Sequence, residues 1–243
     1  MKEIKQFYSL NFSQIKRKKE KIKFLVFHYT GMKNEKTALK RLSNINSKVS
    51  CHYFIKKNGS IINLVPDMYE SWHAGISYWK NFRGMNKYSI GIEIHNPGHQ
   101  HGYIFFNKKQ INSIKDLSLK LAKEYNFKKK HFLGHSDIAP SRKNDPGEKF
   151  PWEFLSRYGI GVWHSVDMKI LKKFRQRKIN SLGEQLFLNS LLKIGYFFKK
   201  KKANLILPTV KAFQRRFRPE LINGKVDQEC LEIAKNLVKS GLN

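Results

Sequence analysis

The chain has 243 residues, with 48 Lys plus Arg against 18 Asp plus Glu and a formal net charge of +30. Hydrophobic residues at 40% and aromatics at 13% are enough to bury a core, which excludes wholesale disorder, and the length suits one moderate domain with a smaller companion. The basic excess suggests a polyanionic partner, but it is built from 38 Lys and only 10 Arg and lies on both sides of Ser165, so no nucleic acid is expected. Residues 1–20 are polar and basic, and the lysines up to Lys23 are followed by no apolar core. No export signal is therefore expected, which makes the cytoplasm the default and the periplasm or envelope the alternative. No run reaches the roughly 18 apolar residues of a membrane span.

Phe24-Leu25-Val26-Phe27 is a short continuous apolar run, which predicts a buried strand ending at His28. A short helix is expected over Lys36 to Leu42. Val49 to Lys56 and Ile61 to Val65, joined through Asn58-Gly59, predict a hairpin. Two cysteines, Cys51 and Cys230, are too few and too far apart for a disulfide framework and read as small buried hydrophobes. Ser89 to Ile94 alternates, placing Ile90, Ile92 and Ile94 on one face of a strand and Gly91 and Glu93 on the other. From a cap at Asn107, Ile111, Ile114, Leu117, Leu121 and Tyr125 recur at helical spacing. A strand at His131-Phe132-Leu133 then gives way to Gly134-His135. Strands interleaved with helices imply an α/β layer architecture, with a mixed central sheet flanked by helices. After Trp163 the patterns are helical throughout, which marks a small all-α unit over residues 165–243 beside a main domain of residues 1–164. The cluster Lys199 to Lys202 reads as a solvated loop or helix end.

Most of the nine histidines need no special role, and His99 and His101 read as solvated loop residues. His28 and His135 each follow an apolar run and so project from a strand end, where α/β sheets gather functional groups. The segment Gly134 to Gly147 adds a lysine and two aspartates to His135 in a loop rich in turn formers. Two neutral imidazoles and one carboxylate suit a catalytic zinc, which keeps a position for water and lowers its pKa to about 7. Spacing alone leaves Asp137 and Asp145 both open as the carboxylate.

Six phrases occur in order: Phe27-His28-Tyr29-Thr30, Val49-Ser50-Cys51-His52-Tyr53-Phe54-Ile55, Trp72-His73-Ala74-Gly75, Ser89 to Ile94, Gly134 to Pro140, and Lys143 with Asp145-Pro146-Gly147 and Phe150-Pro151-Trp152. Together, over about residues 20 to 155, they resemble the bacterial zinc N-acetylmuramoyl-L-alanine amidases, the type 2 amidase family related to peptidoglycan recognition proteins. The resemblance implies a Zn2+ held by His28, His135 and Asp145, with Glu93 and Lys143 as the catalytic pair. It implies as substrate the amide between the lactyl group of N-acetylmuramic acid and L-alanine, in peptidoglycan or muropeptides. Glu93, on the site-facing side of its strand, would serve as general base and acid, and the Lys143 ammonium would stabilise the oxyanion. Trp72 and His73 are candidates for the substrate groove. A non-catalytic peptidoglycan-recognition protein on the same fold is the alternative; a missing zinc ligand would favour it, and none is missing. Leu191 to Tyr196, Val210 to Phe217 and Asn223-Gly224-Lys225-Val226-Asp227 resemble the small three-helix peptidoglycan-binding domain often attached to such amidases. A monomer is expected.

Overall fold

The computed structural model describes residues 8–198 and 203–240, so the lysine cluster 199–202 lies outside the described residues. Five strands form the central sheet: β1 (Phe24–Tyr29), β2 (Tyr53–Ile55), β3 (Ile61–Asn63), β4 (Ser89–Ile94) and β5 (Phe132–Gly134). Their spatial order is β3-β2-β4-β1-β5. Only β2 and β3 pair antiparallel, across the expected hairpin; β1 runs parallel to β4 and β5, and β2 parallel to β4. A central parallel strand is covered on both faces, which is why β1 is apolar without alternation.

One face carries Leu25, Phe27, Ile90, Ile92, Ile94 and Phe132, packed against Ile114, Leu117 and Leu121 of α2 (Lys108–Tyr125). The Asn107 side chain accepts from the Gln110 N–H and the Gln110 side chain from the Asn107 N–H, so both ends of this cap are satisfied. An earlier helix, α1 (Glu35–Ser43), sets Leu39 and Leu42 against Phe54 and Ile62. The isoleucine face and both helices lie where the sequence predicts them.

The opposite face is closed by the end of the chain. After the short α3 (His135–Ile138) and α4 (Trp152–Ser156) come α5 (Met168–Phe174) and three longer helices, α6 (Ser181–Ile194), α7 (Ala203–Phe217) and α8 (Gln228–Lys239). Phe24, Val26 and Leu133 of the sheet share one core with Phe187, Leu191, Tyr196 and Phe213 of this helical part. No helix among the described residues is long and apolar enough to cross a membrane.

A buried ion pair fixes the joint. Asp137 of α3 accepts from an Arg216 Nη, from the Tyr196 hydroxyl at 2.8 Å and from the Gly134 N–H at 2.8 Å. The Arg216 guanidinium also lies 3.9 Å from the Trp152 ring centroid and donates to the Phe132 carbonyl at 3.1 Å. Removing one member of such a pair leaves a charge uncompensated in the interior, at a cost of about 3–5 kcal/mol. Arg216→Leu should lower the urea midpoint accordingly with little change in slope, and pairing it with Asp137→Leu should restore part of the loss. Equal losses in the single and double variants would show that the charge pair is not what the joint depends on.

Candidate metal centre and active site

The three parallel strands β1, β4 and β5 end at one edge of the sheet. His28 stands one residue from the end of β1, and Glu93 sits opposite it in register on β4, so the two side chains share a face. His135 opens α3 directly after β5. The loop that follows turns back, and the Ser136 N–H donates to the Asp145 carbonyl at 2.8 Å, which returns Asp145 to the side of His135.

These elements bring three donor atoms to one point. His28 Nδ1 lies 2.9 Å from His135 Nδ1 and 3.0 Å from Asp145 Oδ2, and His135 Nδ1 lies 2.9 Å from the same oxygen. All three residues are buried. Burial and the neighbouring His135 ring push the His28 imidazolium down to about 4, so the ring is neutral at pH 7. Burial alone would raise the Asp145 carboxyl, but the two histidines overcome it and hold the group below the usual range, as a carboxylate. The ring of His135 also sets Nε2 at 3.1 Å from the Ala74 carbonyl, which can only accept, so the neutral ring carries its proton on Nε2 and leaves Nδ1 bare. Bare imidazole nitrogen and ionised carboxylate oxygen are the forms that bind a divalent metal. Three ligand-type atoms lie within 3.0 Å of one another, and one cation would satisfy them all. The residues present therefore fit a metal, and this trio is the one group among the described residues that could hold one.

Asp137, the other candidate carboxylate, points into the joint with Arg216 and Tyr196, and Asp145 is the carboxylate that converges with the two histidines. A cleft of about 570 Å³ opens above the trio, and Trp72, His73, Glu93, Arg142 and Lys143 line it together with His135 and Asp145. Burial pushes the Glu93 carboxyl well up, and the charge of Asp145 adds to this while Lys143 opposes it. Oε2 of Glu93 is buried with no protein partner, an orphan acceptor of the kind that marks a functional group. Trp72 is half-buried on the cleft wall. The His73 ring is more deeply placed: Nδ1 lies 2.9 Å from His28 Nε2 and Nε2 lies 3.2 Å from Ser89 Oγ.

His99 and His101 are exposed, as the sequence reading has them, and with Gln100 they also line the same cleft. His99 stands 2.8 Å from the Tyr29 hydroxyl and 3.0 Å from Glu148, and its ring stacks on Tyr103 at 4.5 Å. Tyr103 in turn donates to the Pro146 carbonyl, next to Asp145. No spacing rule could have placed this loop over the cleft, because its partners lie up to 70 residues away.

Comparison with known proteins points to one family. Residues 18–148 match the family model described as N-acetylmuramoyl-L-alanine amidase. The chain is 33% identical to the N-acetylmuramoyl-L-alanine amidase AmiD of Escherichia coli K12, over 90% of this chain and 83% of that protein. A solved complex of the E. coli AmiD with the substrate anhydro-N-acetylmuramic acid-L-Ala-D-gamma-Glu-L-Lys aligns over 94% of this chain and 92% of that one, with a TM-score of 0.80. AmpDh3 of Pseudomonas aeruginosa, solved with an anhydromuramic pentapeptide, aligns over 94% of both chains at 29% identity and a TM-score of 0.79.

Proposed function

This chain belongs to the N-acetylmuramoyl-L-alanine amidase family and is an amidase of that kind; on that premise we propose that it hydrolyses the lactyl–L-alanine amide of muropeptides by a zinc-dependent route. The observation that carries the reading is the convergence of His28, His135 and Asp145 beneath a cleft that Glu93 also lines, with its buried Oε2 unpartnered. In this reading those three residues hold Zn2+, which when bound would polarise the scissile carbonyl and lower the pKa of a water. Glu93 then takes a proton from the attacking water at Oε2 and passes it to the departing alanine nitrogen, so one carboxyl serves as base and then acid. Lys143, two residues before Asp145 and on the same cleft, offers its ammonium to the oxyanion of the tetrahedral intermediate. Trp72 offers an aromatic face to the sugar or peptide, and His73 adjoins it on the groove wall with its ring nitrogens turned to protein. Both solved relatives named above hold anhydro-muropeptides, which favours a muropeptide as the partner here. Every group named comes from a single chain, so a monomer suffices. Residues 165–243 are read as a helical, peptidoglycan-binding-like unit attached to the catalytic residues 1–164.

A non-catalytic peptidoglycan receptor on this fold would need neither a full donor set nor Glu93. The two readings separate on mass spectrometry of muropeptides after incubation, alongside zinc quantification. The expected result is about one zinc per chain and release of the peptide from the muramyl sugar, abolished by a chelator and restored by added zinc. Retention of muropeptide with no cleavage, at full zinc, would favour the receptor.

A further inference from the structure

Nδ1 of His28, the atom read above as a metal ligand, faces a carboxylate oxygen at 3.0 Å. Left to itself, that neighbour favours the wrong tautomer: a proton on Nδ1 would make a charge-assisted hydrogen bond to Asp145 and block the ligating atom. The far side of the ring opposes this. His28 Nε2 meets His73 Nδ1 at 2.9 Å, His73 Nε2 meets Ser89 Oγ at 3.2 Å, and the Ser89 hydroxyl lies 2.6 Å from the Met85 carbonyl.

This chain of contacts runs in only one direction. A carbonyl cannot donate, so the Ser89 proton goes to Met85 and Oγ is left to accept. His73 must then carry its proton on Nε2, which leaves Nδ1 bare. With Nδ1 of His73 bare, the short contact to His28 is a hydrogen bond only if His28 Nε2 carries the proton. His28 Nδ1 is thereby left open towards His135 and Asp145.

The surroundings are shaped to hold this ring. The ring of His73 lies directly over Gly91 of β4, where a Cβ would overlap its Cγ, so the strand has no side chain at that point. Asn86 Oδ1 accepts from the backbone N–H of both His73 and Ala74, at 3.1 and 2.7 Å, and fixes the segment from below. None of these groups lies on the strand or loop that supplies His135 or Asp145.

We propose that His73 is a positioning residue whose relay through Ser89 to the Met85 carbonyl fixes His28 as the Nε2–H tautomer and so keeps Nδ1 free to bind the metal. The proposal rests on the reading of His28 as a zinc ligand. Loss of a partner that orients a ligand typically costs 10–100-fold in metal affinity.

The test uses the full chain and two readouts. Zinc affinity is measured by competition with a chromophoric chelator, and the His28 tautomer by ring 15N spectra of the metal-free protein labelled at histidine. His73→Phe should weaken zinc about 10–100-fold and raise the share of His28 protonated on Nδ1. Ser89→Ala, which removes one atom and leaves both rings, should move both readouts in the same direction. His73→Gln should recover part of the loss, since an amide supplies one acceptor and one donor. Folded His73→Phe and Ser89→Ala variants with zinc affinity and His28 tautomer unchanged would overturn the relay. If the wild type takes up no zinc, it is the reading of the centre that fails, and the ring spectra still decide the relay by themselves.

Discussion

Replacing Glu93 by glutamine should leave zinc content unchanged and lower kcat by about 10²–10⁴, the usual share of a general acid–base group. The substitution keeps shape and volume but removes the ability to take a proton. Glu93 is not among the three converging donors, so the metal should stay. Its register opposite His28 on the neighbouring parallel strand holds the carboxyl over the trio rather than in it. The buried Oε2 meets no protein donor, so the substitution breaks no hydrogen bond at that atom, and the variant should fold as the parent does. Turnover of a muropeptide at the parental rate by a zinc-loaded Glu93→Gln protein would show that another group moves the proton.

Removing a donor should act differently. His28→Ala takes one of three ligands from a site that offers no fourth among the described residues, and zinc should fall to background by elemental analysis, with activity lost as well. A second measurement separates metal loss from misfolding. Metal that binds only the folded chain stabilises it by RT ln(1 + [L]/Kd), so a chelator should lower the Tm of the parent. It should leave the Tm of His28→Ala where it is. A His28→Ala protein that retains stoichiometric zinc, or a parent Tm indifferent to chelator, would remove His28 from the centre.

Much of this site could be read along the chain because its parts sit at strand ends. The apolar run before His28 and the alternation around Glu93 are one-dimensional signals, and both side chains stand where those patterns put them. The helix from Asn107 was equally plain, since its cap and its stripe are local. What resisted was anything decided across the fold. Asp137 and Asp145 are equivalent by spacing; only the arrival of Arg216 and Tyr196, 79 and 59 residues further on, claims the first and leaves the second for the histidines. The orientation of His73 depends on an absent side chain at Gly91 in a strand 18 residues away, and nothing in the phrase Trp72-His73-Ala74-Gly75 announces it. The loop of His99 to His101 is polar and rich in turns, so its composition matches a solvated segment, and its position over the cleft comes from the long contacts of Tyr29, Tyr103 and Glu148.

The shared core on the second face of the sheet also bears on the order in which the molecule can be completed. When a ribosome has released only the first 165 residues, Phe24, Val26 and Leu133 lack the part of their cover that Phe187, Leu191, Tyr196 and Phe213 supply, and Asp137 awaits a guanidinium that has yet to be synthesised. His135, two residues before that carboxylate, therefore belongs to a turn whose buried charge meets its guanidinium only once α7 has emerged. A nascent chain stalled before that point would carry the three converging donors and still lack the arginine that pairs the carboxylate beside one of them. The last helices thus complete the interior beside His135 rather than merely following it in the chain.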